Sequence, residues 1–148
     1  MFSSIRLLAL GVWIGAMLGF AFVFAPIAFH TIGPTPQFAA TIAACVEALT
    51  SAGYVLAAIA ALASLPQFRS HPRTCVAVIA LLAIMTLLGA YETHALVPLM
   101  QHTALQTPAY DALHRRSSGV YSAILLAGIA AFIVAAASRT ARRAASSR

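Results

Sequence analysis

The chain has 148 residues, 61% hydrophobic and 8% charged, whereas a soluble domain carries about 25% charged residues. A mean hydropathy of +0.91 excludes an ordinary water-soluble globule, so most side chains must face lipid or other helices. The net charge of +6 comes from nine arginines and no lysine. These sit at the ends of apolar runs, which is the footprint of membrane orientation and argues against a nucleic-acid partner.

The first apolar run, residues 7–29, contains 23 residues and no charged side chain. As a helix it rises ~34 Å, enough to cross a ~30 Å hydrocarbon core. It is longer than the ~7–15 residues of a signal-peptide core, and no small-x-small cleavage site follows, so it is read as a retained span. Gly11, Gly15 and Gly19 recur at every fourth residue, the pattern that lets a second helix approach closely in lipid.

Three more apolar runs follow. The expected spans are residues 5–29, 36–65, 74–97 and 108–138 in a single transmembrane domain, 1–148, closed by a basic tail, 139–148, that is expected to fray. The fold class is all-α, an integral membrane four-helix bundle. Thr35-Pro36 and Thr107-Pro108 each place a capping residue before a proline at the first helical position. The last span carries a second small-residue stripe, Gly119, Ala123 and Ala127, continued by Ala131 and Ala135. It would suit the glycine face of the first span, although close packing alone accounts for such residues.

With four spans, Arg6, Arg69, Arg73, Arg139, Arg142, Arg143 and Arg148 share one side, and Arg115 and Arg116 the other. Positive charge collects on the cytoplasmic side, which puts both termini in the cytoplasm of, by expectation, a bacterial inner membrane. Cys45 and Cys75 fall toward opposite surfaces, out of disulfide reach.

A shift of 72 residues aligns residues 25–40, APIAFHTIGPTPQFAA, with 97–112, VPLMQHTALQTPAYDA. Pro26 meets Pro98, His30 meets His102, Thr31 meets Thr103, and Thr35-Pro36 meets Thr107-Pro108. One reading is two parallel hairpin repeats about an axis along the membrane normal. The other is that both are helix corners, where Thr-Pro recurs for capping reasons alone. Capping does not account for the matched proline and histidine upstream.

Three motifs carry a family resemblance: WIGAMLGFAFVFAPIAF (residues 13–29), ETHALVP (92–98) and YDALHRRS (110–117). Together they resemble the transmembrane protein 205-like family, a four-helix membrane domain of unknown function. The motif positions are Trp13, Gly15, Ala25, Pro26, Phe29, Leu113, His114 and Ser117. Where the family pattern continues to an Asn one turn after the Ser, this chain has Tyr121. The resemblance implies an integral membrane protein and supplies no reaction.

Glu47 lies well inside the second span, with Thr50, Ser51 and Tyr54 three, four and seven residues on. A charged acid at mid-membrane costs roughly 2.5–3.5 kcal/mol on insertion scales, so it marks either a proton or cation site or a hydrogen-bonded structural glutamate. A second candidate cluster gathers Glu92, His94, His114, Ser117 and Tyr121 at the outer surface, with Glu47 as an alternative carboxylate partner for His114. His30 and His102 are the candidate metal ligands, because imidazole suits copper and haem iron. No His-x-x-x-His, Cys-x-x-Cys-His, Gly-x-Ser-x-Gly, phosphate loop or zincin helix is present.

The expected function is a multi-pass membrane protein serving as a small transport element or membrane-envelope helper, with no enzyme chemistry indicated and no cofactor expected. One alternative is a redox protein holding haem or copper through outer histidines. Another is a structural subunit of a membrane complex. The bilayer is the expected partner, with a second copy or another membrane protein as further candidates.

Overall fold

The computed structural model describes the backbone of residues 2–146 and the side chains of residues 2–138. Every regular element among them is helical. The elements are α1, Phe2–Ile32; α2, Pro36–Gln67; α3, Pro72–Gln101; and α4, Pro108–Ser146. The expected basic tail begins as a continuation of α4; its side chains, and Ser147 and Arg148 altogether, lie outside the described residues. All four helices are long and apolar enough to cross a membrane. Leu8, Phe22, Leu62, Leu87 and Leu126 are exposed on the outside of the bundle, as lipid-facing side chains are.

The caps are where the Thr-Pro pairs predict them. Thr35 Oγ1 accepts from the Phe38 N–H at 3.2 Å, and Thr107 Oγ1 from the Tyr110 N–H at 3.2 Å. Each cap satisfies one of the free donors at a helix start.

The first and third spans run further than the expected 5–29 and 74–97, through Pro26 and Pro98 to Ile32 and Gln101. A proline has no N–H, and its ring clashes with the carbonyl four residues back. Both helices absorb this in a π-helical turn just upstream, at Phe20–Phe24 and Glu92–Leu96. The Ala25 N–H reaches back to the Phe20 carbonyl and the Val97 N–H to the Glu92 carbonyl, five residues each. The two turns lie 72 positions apart, the offset of the sequence repeat. At the same offset, Thr31 donates to the Ile27 carbonyl at 2.8 Å and Thr103 to the Leu99 carbonyl at 2.7 Å.

Each helix packs against its chain neighbours, and α1 packs against α4, closing a four-helix ring. The core runs through Leu10, Trp13, Met17, Ala60, Val78, Met85 and Ala131. One end of the bundle holds the α1–α2 and α3–α4 connections and is called here the corner end. The other holds the start of α1 and the α2–α3 connection. There Arg6 is fully buried, and its guanidinium donates to the Ala135 carbonyl at 3.2 Å and to Ser138 Oγ at 3.1 Å, joining α1 to α4. Cys75 is buried beside the Ser64 carbonyl, and both cysteines are free.

The glycines that are tightly packed against a neighbouring helix lie outside the expected stripes. A Cβ on Gly53 would lie 2.6 Å from the Trp13 ring, one on Gly89 3.1 Å from the Thr50 methyl, and one on Gly128 2.9 Å from Met85 Cε. A Cβ at Gly15, Gly19 or Gly119 would meet nothing within 4 Å, and one on Gly11 only Phe132 at 3.8 Å. Ala123 is exposed and Ala127 half-buried, and only the lower part of that stripe, Ala131 and Ala135, is fully buried. Trp13 dictates this choice: its rigid indole fills the α1–α2 contact, and only a bare backbone leaves it room.

Gly53→Ala is expected to destabilise the bundle by about 1–3 kcal/mol through overpacking against Trp13. Gly15→Ala is expected to leave the melting temperature in mild detergent unchanged. Equal melting of the two variants would reject the close α1–α2 contact.

Candidate functional site

The site grows from the second π turn. Glu92 is the first residue of that turn and lies nine residues before the end of α3, about 13–14 Å from the corner end. Its side chain is 2% exposed. Ser117, on α4, donates its hydroxyl proton to Glu92 Oε1. Oε2 is buried and has no protein hydrogen-bond partner. A carboxyl group buried with one oxygen satisfied and one bare is uncommon, because the bare oxygen loses its water without replacement.

Of the expected cluster, Ser117 bonds Glu92, and His114 and Tyr121 flank Ser117 along the cavity-lining side of α4. Tyr121, one turn beyond Ser117, donates to the Met17 carbonyl at 2.9 Å and so ties α4 to α1. His114 stacks on the Tyr110 ring, with centroids 6.4 Å apart and planes 5° from parallel. The Arg116 guanidinium lies 5.3 Å from the centroid of Tyr91, the residue before Glu92, a cation–π contact at the rim.

A cavity of about 340 Å³ opens beside Ser117 at the corner end. Its walls come from the first π turn, from α3 just past the second, and from the first turns of α2 and α4. Phe20, Ala25, Phe38 and Ile42 form the side given by α1 and α2, while Tyr110, His114, Ser117 and Tyr121 stand opposite. Deeper in the bundle, Trp13, Thr50, Tyr54, Gly89 and Tyr121 surround a void of about 20 Å³, the size of one water. Tyr121 lines both spaces and separates them. The Tyr54 hydroxyl is buried there and, like Glu92 Oε2, has no protein partner.

Other expected residues lie apart. Glu47 is exposed on the outside of α2 with Ser51, while Thr50 and Tyr54 turn toward α3. The four are neighbours on the helix, but the face α2 buries is centred on Val46, Gly53 and Ala57 and leaves Glu47 outside. His94 is exposed: two residues after Glu92, about half a turn, it lies on the opposite side of α3 from Ser117. His30 and His102 end their helices as exposed side chains, His30 against the Phe29 ring at 6.1 Å. Among the described residues no group of three or more His, Cys, Asp or Glu is placed to hold a metal ion.

Sequence reasoning overlooked the two π turns and the cavity they help to frame. A signal existed in Pro26 and Pro98, each set inside an otherwise unbroken apolar run, where a helix must break, kink or widen.

The family model described as "Domain of unknown function (DUF4149)" matches residues 8–109. That is more than half of the chain, which therefore belongs to this family. The matched stretch contains Glu92, both π turns and both corner prolines; His114, Ser117 and Tyr121 follow it. Comparison with curated proteins and with solved structures gives no match.

Ser117→Ala strips the Glu92 carboxyl of its protein partner and is expected to cost about 1–3 kcal/mol. Tyr121→Phe, which removes one interhelical bond, is expected to cost about 0.5–1.5 kcal/mol. Ser118→Ala, at an exposed neighbour, should change stability by less than about 0.5 kcal/mol. Thermal melting of the three variants in one detergent checks this order.

Proposed function

We propose that this multi-pass membrane protein is a small transport element of the transmembrane protein 205-like type, with Glu92 as its proton-exchanging group. Its proposed residence is a bacterial inner membrane, both termini cytoplasmic and the corner end outside. Seven arginines against two support that orientation, those at the cytoplasmic end including Arg6, Arg69 and Arg73.

The observation that carries the reading is the half-satisfied carboxyl. A purely structural glutamate in a span would have both oxygens bonded, because lipid offers no replacement for water. Glu92 has one oxygen fixed by Ser117 and one left over, in a helix turn that is already widened. Ser117 also lines the outer cavity, so a single hydroxyl stands between that space and the carboxyl. A proton arriving in the cavity is taken up by Ser117 Oγ as that hydroxyl passes its own proton to the Glu92 carboxylate, and rotation of the new hydroxyl bond restores the relay. Tyr54, with its own unpartnered hydroxyl one turn of α3 away, continues the line toward the membrane centre.

Glu47 has a different standing. It is exposed on the outside of α2 and lines neither the outer cavity nor the small void. The two carboxyls are separable by experiment.

The test is proton entry into proteoliposomes holding the full chain, driven by a potassium diffusion potential and read with an internal pH dye. Wild type and Glu47→Gln are expected to acidify the lumen well above empty liposomes. Glu92→Gln is expected to fall at least tenfold toward the empty-liposome rate. Wild-type flux no greater than that of empty liposomes would reject the transport reading.

A further inference from the structure

The outer cavity has a symmetry that its lining residues reveal. Three pairs of positions, each 72 residues apart, face into the same space: Ala25 with Val97, Phe38 with Tyr110, and Ile42 with His114. The offset is that of the sequence repeat, the first two pairs lie within its stretch and the third two residues beyond, and the π turns and Thr-Pro caps share the offset. Matched positions of the two hairpins thus line one cavity, and it lies where the α1–α2 hairpin meets the α3–α4 hairpin, the place where proteins built from internal repeats put their ligands.

The two walls have diverged in chemistry. Everything that α1 and α2 contribute is apolar, with Phe20, Phe38 and Ile42 the large members. All the polar lining comes from α3 and α4: Gln101, His114, the hydroxyls of Tyr110 and Tyr121, and those of Ser117, Ser118 and Ser122. No Asp, Glu, Lys or Arg lines the cavity. The Ser117, Tyr121 and Ser122 protons are given to Glu92, the Met17 carbonyl and the Ser118 carbonyl, so these oxygens can accept, while Gln101, Ser118 and Tyr110 can also donate. Such a wall suits a group that both gives and takes hydrogen bonds and carries no charge. An apolar wall faces it across a space within the size range of small-molecule pockets.

We infer that the outer cavity is a binding site for an amphiphile with an uncharged, hydroxyl- or carbonyl-bearing head. The head meets the α3–α4 wall at Ser117, Ser118 and Gln101, and the hydrocarbon body lies along Phe38 and Ile42. The site deepens the transport reading, on which it rests, by naming the class of molecule the cavity takes. Ser117, which bonds both the head and Glu92, links occupancy to the carboxyl behind it.

Three probes share an eight-carbon chain and differ in the head: 1-monooctanoylglycerol is neutral, octanoate anionic and octylammonium cationic. Equilibrium binding of each is measured to the full chain in phospholipid nanodiscs, with empty nanodiscs subtracted. Monooctanoylglycerol is expected to bind saturably at one per chain, and the charged probes at least tenfold more weakly. Ile42→Trp, which fills the apolar wall, and Ser118→Val, which alters the polar one, are each expected to weaken binding at least tenfold. Melting temperature separates loss of the site from loss of the fold, and Ser118, being exposed, is the variant that keeps the test sound should Ile42→Trp misfold. Preference for either charged probe, no saturable binding, or binding unchanged in the folded Ser118→Val protein would overturn the inference. Proton flux through Glu92 is read separately, so binding can fail while flux persists, and flux can fail while binding persists.

Discussion

A helix in lipid must satisfy its own peptide groups, and this constraint decides the shape of the bundle at Pro26 and Pro98. Each proline removes one donor and crowds a carbonyl. In water the helix could end there and let solvent take over. In a membrane it must continue, and it does so by opening one turn to five-residue spacing. The wider turns then have consequences for what lies near them. They bring Glu92 to the head of one turn and Phe20 to the head of the other; Phe20 and Ala21 of the first line the outer cavity, as do Val97, Met100 and Gln101 just past the second. The proline pair is thus the origin of the irregularity on which the candidate site is built.

The remainder of the bundle is regular, and it is regular where the packing is tightest. Trp13 against Gly53 fixes α1 to α2, Thr50 against Gly89 fixes α2 to α3, and Met85 and Ile14 against Gly128 fix α3 and α1 to α4. The α2–α3 contact is closed a second time near the opposite end by buried Cys75 and Ser64. A large or branched side chain meets a bare backbone in each glycine contact, which gives dense packing without burying any new polar group. Arg6 is the exception. It is a charge enclosed at the end opposite the site, and its bonds to Ala135 and Ser138 hold the beginning of α1 to the later part of α4.

How much of this was legible in the sequence follows from which physical quantity each feature depends on. Span number, fold class and helix starts depend on hydropathy and capping, both local, and Pro36 and Pro108 begin their helices as the Thr-Pro pairs imply. The side of a helix that is buried depends on its neighbours. Hence the regular glycines of α1 are outside, while isolated Gly53, Gly89 and Gly128 are inside. The same lack of azimuth separates the two membrane carboxyls. Glu47 and Glu92 both sit in apolar runs, and only the ring of helices shows that one faces outward and the other inward. The Glu92–Ser117 pair was within reach, since both residues stood in motifs at one surface. Its bare second oxygen and the cavity beside it were not, because they are properties of assembled helices.

The repeat and the polarity of the cavity bear on each other. If two identical hairpins had met about an axis, the space between them would have had two like walls. Here the backbone features remain paired, π turn with π turn and cap with cap, while side chains at matched positions differ: Phe38 against Tyr110 and Ile42 against His114. Backbone geometry at these corners is set by Pro and Thr, which both hairpins contain. Lining chemistry is set by the remaining positions: Ala25 and Val97 are both apolar, while Phe38 and Ile42 in the first hairpin stand against hydrogen-bonding Tyr110 and His114 in the second. A space with one greasy and one hydroxyl-rich wall fixes the orientation of whatever lies in it, and orientation relative to Ser117 is what a carboxyl placed behind that residue is positioned to sense.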